Sequence, residues 1–559
     1  MTDLEIARSI TPKHVFEVAQ TLGIASEDLI PFGRYKAKLS LRLAERLQSR
    51  PRGRYILVTA INPTPLGEGK TTTSIGLTMG LSRLGHRAAV TLRQPSLGPV
   101  FGIKGGGTGG GRAQVYPMED INLHLTGDAH AVSASHNLLS AFVDNHLFHG
   151  NAMNLDPQTI RWPRTLGVSD RALRDIVLGE GVGRHSGRFV ITEASEVMAI
   201  LALATSHADL RQRLGRILVG LTTEGRAVRA DAFNCVGSMA VLLKEALLPN
   251  LVQTLEGTPA FVHTGPFGNI AHGNCSIVAD QLALRCADYV ITEAGFGSDL
   301  GAEKFFNIKC RASGLRPDAG VVVATLRALK LHGGGGTVKV GAPLPDGLTG
   351  PNQTALEKGF ANLEQHIANV RAHGIPVVVA VNAFKDDPPD ELDWVRQRAK
   401  AMGATDAAVS THWADGGQGA MELARAVVTA AQGSNFQHLY DVTWPIKKKI
   451  ETIATTMYGA AGVTFSSQAE QDIELATKLG CADFPICMAK TPLSLSHDPT
   501  LKGHPSGFIV PIQELRILAG AGFLTAVCSG IQLMPGLPKK PAGERIDLDP
   551  VSGEIVGLS

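Results

Sequence analysis

The chain has 559 residues, of which 44% are hydrophobic and 19% charged, a composition typical of globular proteins with a large core. On the usual domain size this length predicts about three to four domains. Lysine plus arginine (53) nearly balance aspartate plus glutamate (51), so we expect neither nucleic acid nor an anionic membrane as a partner. The 62 glycines exceed the ordinary share and indicate many turns lined by backbone.

Cysteine usage and hydropathy predict a cytoplasmic protein. The 7 cysteines include no C-x-x-C pair, so neither a disulfide framework nor a zinc ribbon is expected, and a reducing compartment fits them. The N-terminal residues contain no apolar core of the kind a signal peptide needs. The uncharged stretch 517–538 is interrupted by Gly, Ser, Thr, Gln and Pro, which favours buried core over a membrane span.

The order of apolar runs predicts the fold. Residues 12–48 have the pattern of an amphipathic helix with a break near "IPFG". Strand-like and helix-like runs alternate after it, which is typical of an α/β protein with a P-loop NTPase-like, mostly parallel sheet flanked by helices and with additional smaller α/β domains. The expected strands are 55–61, 88–92, 188–192, 217–222, 259–264, 289–292, 319–325 and 375–382.

Changes in residue composition and in the pattern of helix-like and strand-like runs suggest four segments. Residues 151–215 are rich in arginine with short helical stretches and resemble an insertion between strands, and the texture changes again near residue 440. We therefore predict a nucleotide-binding domain in two parts, an inserted segment and a C-terminal α/β region. Their expected bounds are 1–145 and 225–380 for the two parts, 146–224 for the insertion and 381–559 for the C-terminal region.

The stretch "NPTPLGEGKTTTS" follows the first apolar strand and resembles a phosphate-binding loop. Gly69, Lys70 and Thr71 match G-x-x-x-x-G-K-[ST], whereas Thr64 replaces the first glycine. With a strand before it and a helix after it, the loop predicts amides directed at phosphate, Lys70 on the β- and γ-phosphates and the Thr71 hydroxyl on Mg²⁺. The alternative is an ordinary turn with a surface lysine. The candidate ATP-binding residues are Thr64, Pro65, Leu66, Gly67, Glu68, Gly69, Lys70 and Thr71.

A second anion-binding element is expected after the second strand. Arg93 is the candidate for neutralising charge on a transferring phosphoryl group, and its alternative role is an ion pair that fixes the following turn. The histidines here lack the spacing of a zinc site and are expected on a helix surface or in the core. Seven glycines between 102 and 111 accompany Arg93, Lys104, Arg112, Asp120, His124, Asp128, His130 and His136.

Two aromatic residues stand out because aromatics make up only 5% of the chain. Phe384 follows a predicted strand that ends at Asn382, and Trp413 precedes a glycine turn. Each is either a core residue or a platform for a flat heterocycle such as adenine or a pterin. Elsewhere, the lysines at 447–449 predict the solvated start of a helix.

Together these stretches resemble the formate–tetrahydrofolate ligase family over nearly the whole chain. The resemblance rests on long segments in the family's order, among them "TPLGEGKTTTSIGL", "GGGRAQVYPMEDINLHLTGD", "TEAGFGSDLGAEKFFNIKCR", "IKKKIETIA", "DFPICMAKT" and "MPGLP". The family also lacks the first glycine of the loop. The sequence departs from it at Gln94 and Arg112 and within "KTPLSLSHDP" and "AVCSGIQLMPGLP", and none of these departures involves Lys70, Thr71 or Arg93.

The resemblance implies ATP-dependent formylation of tetrahydrofolate at N10 through formyl phosphate. It implies that Lys70 and Arg93 hold the transferring group and that Phe384 and Trp413 flank the pterin, so that the C-terminal region contributes to the folate site. It also implies Mg²⁺ with ATP, activation by potassium or ammonium, and a homotetramer. Two alternatives stay open from the residues alone: another P-loop carboxylate kinase or ligase resembling dethiobiotin synthetase, and a nucleotide-gated regulatory NTPase.

Overall fold

The computed structural model describes residues 1–102, 107–179, 184–338, 343–528 and 530–558. Its main feature within these ranges is a 12-stranded sheet. In chain order the strands are Leu29–Pro31 (β1), Ala37–Leu39 (β2), Arg54–Ala60 (β3), Ala88–Leu92 (β4), Gly109–Gly110 (β5), Ala113–Tyr116 (β6), Asn250–Thr254 (β7), Pro259–Val262 (β8), Tyr289–Glu293 (β9), Ala319–Ala324 (β10), Val377–Asn382 (β11) and Asp406–Ser410 (β12).

The strand order along the sheet is β1-β2-β7-β8-β4-β9-β3-β10-β11-β12, with β6 on β7 and β5 on β6. From β8 to β12 all neighbours are parallel, and β7 pairs antiparallel with both β2 and β8. Alternate residues of β3 face opposite cores, Tyr55 and Leu57 on one side and Ile56 and Val58 on the other. Helices cover both faces, which explains why the parallel strands are continuously apolar.

Twenty α-helices lie within the described ranges. The helix that follows β3 is Lys70–Arg83, called the loop helix below. The others are Asp3–Arg8, Val15–Thr21, Arg42–Arg46, Leu97–Phe101, Met118–Asn122, Asp128–Phe148, Glu196–Leu203, His207–Gly215, Val236–Leu242, Ile277–Cys286, Cys310–Ser313, Leu326–His332, Asp346–Thr349, Gln353–Arg371, Pro389–Ala401, His412–Asp415, Met421–Ala430, Ile446–Tyr458 and Ser467–Lys478.

Smaller sheets accompany the main one, and two further apolar cores lie mainly within residues 132–247 and 440–528. The predicted α/β class, with a mostly parallel sheet, flanking helices and smaller sheets, is therefore confirmed. The smaller sheets pair Arg164–Leu166 with Phe189–Ile191, Ile176–Leu178 with His185–Gly187, Leu218–Leu221 with Ala227–Arg229, Gly462–Phe465 with Ile509–Ile512, Ile486–Ala489 with Phe523–Val527 and with it Glu514–Leu518, and Asp547–Leu548 with Ile555–Val556.

Three sequence expectations differ from the structure. The amphipathic pattern of residues 12–48 gives two short helices separated by the β1–β2 hairpin, because β2 gains a partner in β7 that is distant in sequence. The expected strands at 188–192 and 217–222 exist but belong to two-stranded sheets outside the main one. Lys449 is buried rather than solvated, because its ammonium donates to the carbonyls of Val442, Ala482 and Phe484 at 2.6–2.9 Å.

The division into four segments stays a prediction. As observed, β11 and β12 continue the main sheet across residue 381, and the strands of the main sheet resume at β7. Among the described residues, no helix combines the length and the apolar character that crossing a membrane requires.

Candidate functional site

The carboxyl ends of seven parallel strands, β8, β4, β9, β3, β10, β11 and β12, lie along one edge of the sheet. The loop of residues 61–69, called the glycine loop here, follows β3 at the centre of this row. Arg93 follows β4 on one side of it. Phe384 and Trp413 follow β11 and β12 on the other side. Parallel topology thus brings four separate sequence regions to the edge where α/β proteins bind ligands.

The glycine loop turns at two glycines in the left-handed region, Gly67 with φ +73° and Gly69 with φ +76°. The Thr64 N–H donates to the buried Glu68 carboxylate at 2.7 Å, and Leu66 N–H donates to the Thr64 hydroxyl at 3.2 Å. Gly69 provides no side-chain cap to the loop helix. The positive end of the helix dipole and its first amides therefore meet an exposed, glycine-lined turn suited to an anion.

Asn382 joins the glycine loop to the end of β11. Its side-chain amide donates to the Glu68 carbonyl at 2.8 Å and to the Thr73 hydroxyl at 2.9 Å. The Thr73 hydroxyl in turn lies 2.8 Å from the Gly69 carbonyl that accepts its proton. Asn382, the last residue of β11, therefore lies at the carboxyl-end edge of the sheet, and its contacts hold the last turn of the glycine loop.

Thr71 contacts a carboxylate that the sequence reading did not single out. Its hydroxyl donates to Glu293 Oε2 at 2.7 Å. Glu293 is the last residue of β9, the neighbour of β3, and is 6% exposed. A hydroxyl in the first turn of the loop helix and a carboxylate at the end of the adjacent strand β9 form the kind of oxygen donor set that Mg²⁺ takes beside phosphate oxygens. These two residues therefore fit the metal expected with ATP.

Arg93 lies on the other side of Glu293. Its Nε is 3.9 Å from Glu293 Oε1, and its Nη1 donates to the Pro266 carbonyl at 3.5 Å. The buried Nε has no hydrogen-bond partner among the described residues. A Cβ at Gly295 would lie 3.1 Å from Arg93 Nη2, so the glycine lets the guanidinium lie against backbone. Arg93 thus has a loose carboxylate contact and retains donors for a ligand.

Two residues near Arg93 have backbone conformations in the left-handed region. Thr264 has φ +52° and Phe296 has φ +61°, and such conformations cost about 1–3 kcal/mol each. The Thr264 carbonyl accepts the N–H of Gln94 at 2.6 Å. The buried Lys304 ammonium donates to the carbonyls of Gly268 and Asn269 at 2.8 and 2.9 Å, which fixes the segment after β8. Strain held in place by buried contacts is characteristic of functional sites.

A buried acid lies near the same segment. The carbonyl of Glu193 accepts the N–H of Phe267 at 2.7 Å, and burial raises the pKa of the Glu193 carboxyl to about 7. The side chain of Gln94 is also buried, and its Oε1 has no hydrogen-bond partner in the described ranges. The segments around the end of β4 therefore contain the Arg93 guanidinium, a carboxyl group at Glu193 whose pKa is near 7, and the Gln94 side-chain oxygen, which has no partner among the described residues.

The two candidate aromatic platforms are both exposed, Phe384 by 40% and Trp413 by 57%. The Trp413 carbonyl accepts the N–H of Arg112 at 2.8 Å. Backbone at Gly111 presses so closely on Trp413 that a Cβ there would lie 2.1 Å from its carbonyl oxygen and 2.8 Å from its ring. Neither aromatic is a core residue, so the alternative that they only pack in the protein interior is excluded.

Comparison with known proteins shows which family the chain belongs to. The model of the family "Formate--tetrahydrofolate ligase" matches residues 1–559. The formate–tetrahydrofolate ligase 3 of Rubrobacter xylanophilus is 53% identical over 574 residues, with 100% of both chains covered. The enzyme of Roseiflexus sp. strain RS-1 is 53% identical over 565 residues, again with 100% of both covered. That of Desulforamulus reducens is 53% identical, with 100% of this chain and 99% of the relative covered. The chain belongs to the formate–tetrahydrofolate ligase family. The resemblance read from the sequence is confirmed.

Several charged residues of the expected second anion element have structural partners in this family member. Asp128 pairs with Lys38, and both are buried. Asp120 pairs with Lys36 at 2.6 Å. Lys104 lies outside the described residues. Among the described charged residues of this element, Arg93 lies at the strand-end row beside the glycine loop, and Arg112 contacts Trp413 through its backbone N–H.

The histidines of the same element contact one another or the core. His124 Nδ1 and His130 Nε2 are 2.8 Å apart. His136 is buried between the Ser195 hydroxyl and the Pro163 carbonyl, and burial lowers its pKa to about 3. The expected surface and core placement of these residues is what the structure has.

Asn62, at the start of the glycine loop, uses all of its hydrogen-bonding groups. Its N–H and side-chain oxygen pair with the Asn362 amide at 3.3 and 2.9 Å, and its carbonyl accepts from His332 at 3.0 Å. Its side-chain NH₂ donates to Asp299 and to the Pro492 carbonyl, both at 3.2 Å. This residue near the start of the loop is therefore held by contacts from four separate segments of the chain.

The C-terminal region reaches this anchor through a buried ion pair. The Lys490 ammonium donates to Asp299 Oδ2 at 2.6 Å and to the Ser494 carbonyl at 2.6 Å. Both side chains of the pair are 0% exposed. Sequence reasoning missed this pair and Glu293. The signal for Glu293 was an acid at the end of a predicted strand, whereas the pair joins residues 191 positions apart.

Proposed function

We propose that this ligase activates formate by phosphoryl transfer and forms 10-formyltetrahydrofolate through formyl phosphate. As a member of its family, the chain joins formate to tetrahydrofolate with ATP. The observation that carries the proposal is the row of strand ends, where the glycine loop lies between Arg93 and the exposed aromatic pair. A ligase of this kind needs a phosphate site, a cation for the transferring group and a site for the acceptor close together.

In the first step a formate oxygen attacks the γ-phosphorus and the bond to the β-bridging oxygen breaks, giving formyl phosphate and ADP. We assign Lys70 and the amides of the glycine loop to the phosphates and Arg93 to the charge that develops on the transferring group. The candidate residues Thr64, Pro65, Leu66, Gly67, Glu68, Gly69, Lys70 and Thr71 form the ATP loop in this proposal. Arg93 Nε, for which the described part of the chain provides no hydrogen-bond partner, supports this role.

In the second step the N10 lone pair attacks the formyl carbon, phosphate leaves with the bonding electrons, and N10 loses its proton. Holding amine and acyl phosphate together can lower the barrier by about 7–11 kcal/mol. We assign the pterin to Phe384 and Trp413, which follow adjacent strands. Their exposure supports this, because large exposed aromatics in a chain with few of them are typical of binding sites.

Mg²⁺ is proposed to accompany ATP. Thr71 and Glu293 would hold it, since their oxygens lie 2.7 Å apart in a part-buried position at the loop. The metal would supply charge neutralisation on the phosphates. Glu293 is also placed to orient Arg93, because its second oxygen faces the guanidinium.

The family resemblance further supports activation by potassium or ammonium and a homotetramer, and we retain both as proposals without assigning residues. We also propose a cytoplasmic location, because all seven cysteines are free and buried, as expected under reducing conditions. Family membership favours the ligase over a dethiobiotin synthetase-like carboxylate kinase and over a regulatory NTPase.

The deciding experiment measures ADP release from Mg-ATP in potassium buffer, omitting formate and tetrahydrofolate in turn, while 10-formyltetrahydrofolate is followed by absorbance after acid conversion. ADP and product that require both substrates are expected. ADP release that ignores tetrahydrofolate would contradict the proposal and indicate a carboxylate kinase or NTPase.

Lys70→Met tests the site assignment within the same assay. We expect phosphoryl transfer to be abolished and tetrahydrofolate binding to persist, because the lysine is assigned to phosphate alone. Lys400→Met is the matched control, since its side chain is 54% exposed and pairs at the surface with Asp406. Loss of nucleotide and folate functions together in Lys70→Met would mean that the two sites are misplaced.

A further inference from the structure

Arg327 covers one face of the Phe384 ring. Its guanidinium carbon lies 3.8 Å from the ring centroid. Arg327 is the second residue of the helix that follows β10, and Phe384 lies two residues beyond the adjacent strand β11. Phe384 is 40% exposed although the guanidinium occupies one face of its ring, so a stacking ligand would have to use the opposite face, called the open face below. A flat ligand can therefore stack on Phe384 from one side only.

Asp387 fixes the orientation of this pair. Its carboxylate accepts the Phe384 N–H at 2.9 Å, and its own N–H donates to the Phe384 carbonyl at 3.1 Å. The same buried carboxylate lies 3.9 Å from Arg327 Nε, which is beyond hydrogen-bond distance. Arg327 Nε has no hydrogen-bond partner among the described residues. The principal contact of the guanidinium is therefore the aromatic face.

We propose that Arg327 makes the open face of Phe384 selective for an electron-rich ring, so that the site prefers the reduced pterin of tetrahydrofolate to an oxidised pterin. This rests on the proposed role of Phe384 as the pterin platform. Arg327 acts through Phe384 and is a specificity-determining positioning residue.

The physical reason is the charge distribution of a stacked ring. An aromatic face carries negative potential, and a cation over one face draws π density towards itself. The opposite face then repels an electron-rich partner less. The pyrimidine ring of a tetrahydropterin carries several nitrogen donors, whereas an oxidised pterin is electron-poor through its second unsaturated ring. The cation should therefore strengthen stacking of the reduced form relative to the oxidised form.

The test measures dissociation constants of tetrahydrofolate and of folic acid by calorimetry under anaerobic conditions, for the full chain and for Arg327→Met. We expect the preference for tetrahydrofolate to fall by about three- to tenfold in Arg327→Met, and KM for ATP and formate to change less than twofold. Arg327→Lys should retain part of the preference. Lys448→Met is the control, because Lys448 lies at the same 3.8 Å over Trp444 and should leave both constants unchanged.

An unchanged preference would overturn the inference, and so would equal weakening of both ligands, which would indicate mechanical support only. If Arg327→Met does not fold, Arg327→Gln removes the charge with a planar amide and carries the same expectation. Phe384→Leu distinguishes failure of the proposed pterin site from failure of the Arg327 proposal. If tetrahydrofolate still binds to Phe384→Leu, Phe384 is not the pterin platform. If Phe384→Leu loses binding but the Arg327 variants keep the preference for tetrahydrofolate, only the role of Arg327 is refuted.

Discussion

Replacing Lys490 by methionine should destabilise the chain strongly and loosen the glycine loop. The substitution leaves Asp299 buried without its cation, and breaking a buried pair in this way costs about 3–5 kcal/mol. The carbonyls of Thr491 and Ser494 also lose a donor. We expect the free energy of unfolding to fall by about 4 kcal/mol or more. Because Asp299 also holds Asn62, KM for ATP should rise in the folded variant.

Urea denaturation followed by tryptophan fluorescence measures this loss. Lys447→Met is the matched control, because Lys447 and Glu470 are each about half exposed and their pair should contribute less than about 1 kcal/mol. The double variant Lys490→Met/Asp299→Asn removes both charges and should recover about half of the loss. A single variant within about 1 kcal/mol of the control, or a double variant less stable than the single, would refute the reasoning.

Three further outcomes are expected. Burial raises the pKa of Glu303 from 4.5 to about 8, so the folded state retains a proton and the free energy of unfolding should fall as pH rises through that window. Glu303→Gln should remove this pH dependence, so its free energy of unfolding should rise by about 3–5 kcal/mol relative to that of the wild type as the pH goes from 4.5 to 9. Urea denaturation at each pH measures both, and curves of unfolding free energy against pH that run parallel for the two proteins would contradict the prediction. Gly111→Ala should displace Trp413 and raise KM for tetrahydrofolate at least tenfold. The control is Gly225→Ala, because Gly225 has φ +78° but no atom within 4 Å of an added Cβ, and it should cost only about 1–2 kcal/mol of stability. Equal KM values for tetrahydrofolate in the two variants would contradict this prediction. Glu293→Gln should raise the Mg²⁺ concentration needed for half-maximal ADP release by about 10–100-fold, and an unchanged Mg²⁺ titration would exclude Glu293 from the metal site.

The central strands and the glycine loop could be predicted because their information is local. β-branched runs such as "AGVVVA" and the sequence "GEGKTT" fix strand, turn and helix without distant partners. The β1–β2 hairpin could not, because its strands have only three residues each and β2 depends on pairing with the distant β7. Its local pattern is helical, and tertiary pairing overrides such a weak preference.

Buried lysines mark the limit of sequence reasoning at the site. Lys304, Lys449 and Lys490 are charged side chains that composition would assign to the surface. Their partners are mostly backbone carbonyls from other elements, which leave no trace in the residue pattern. The stacking of Arg327 on Phe384 was hidden for the same reason, because two strand ends must meet before it exists.

The order of strands also limits where the acyl phosphate can form. Arg93 follows β4 and Phe384 follows β11, and these strands are separated by β9, β3 and β10. Four strand spacings amount to about 19 Å. If the pterin stacks on Phe384 as proposed, N10 cannot cross this distance, because a single methylene joins it to the pterin. The acyl phosphate would then have to form on the Phe384 side of Arg93, near the glycine loop, which follows a strand only two positions from β11. Under the proposed function, the long guanidinium side chain would therefore span part of the sheet that separates the two strand ends.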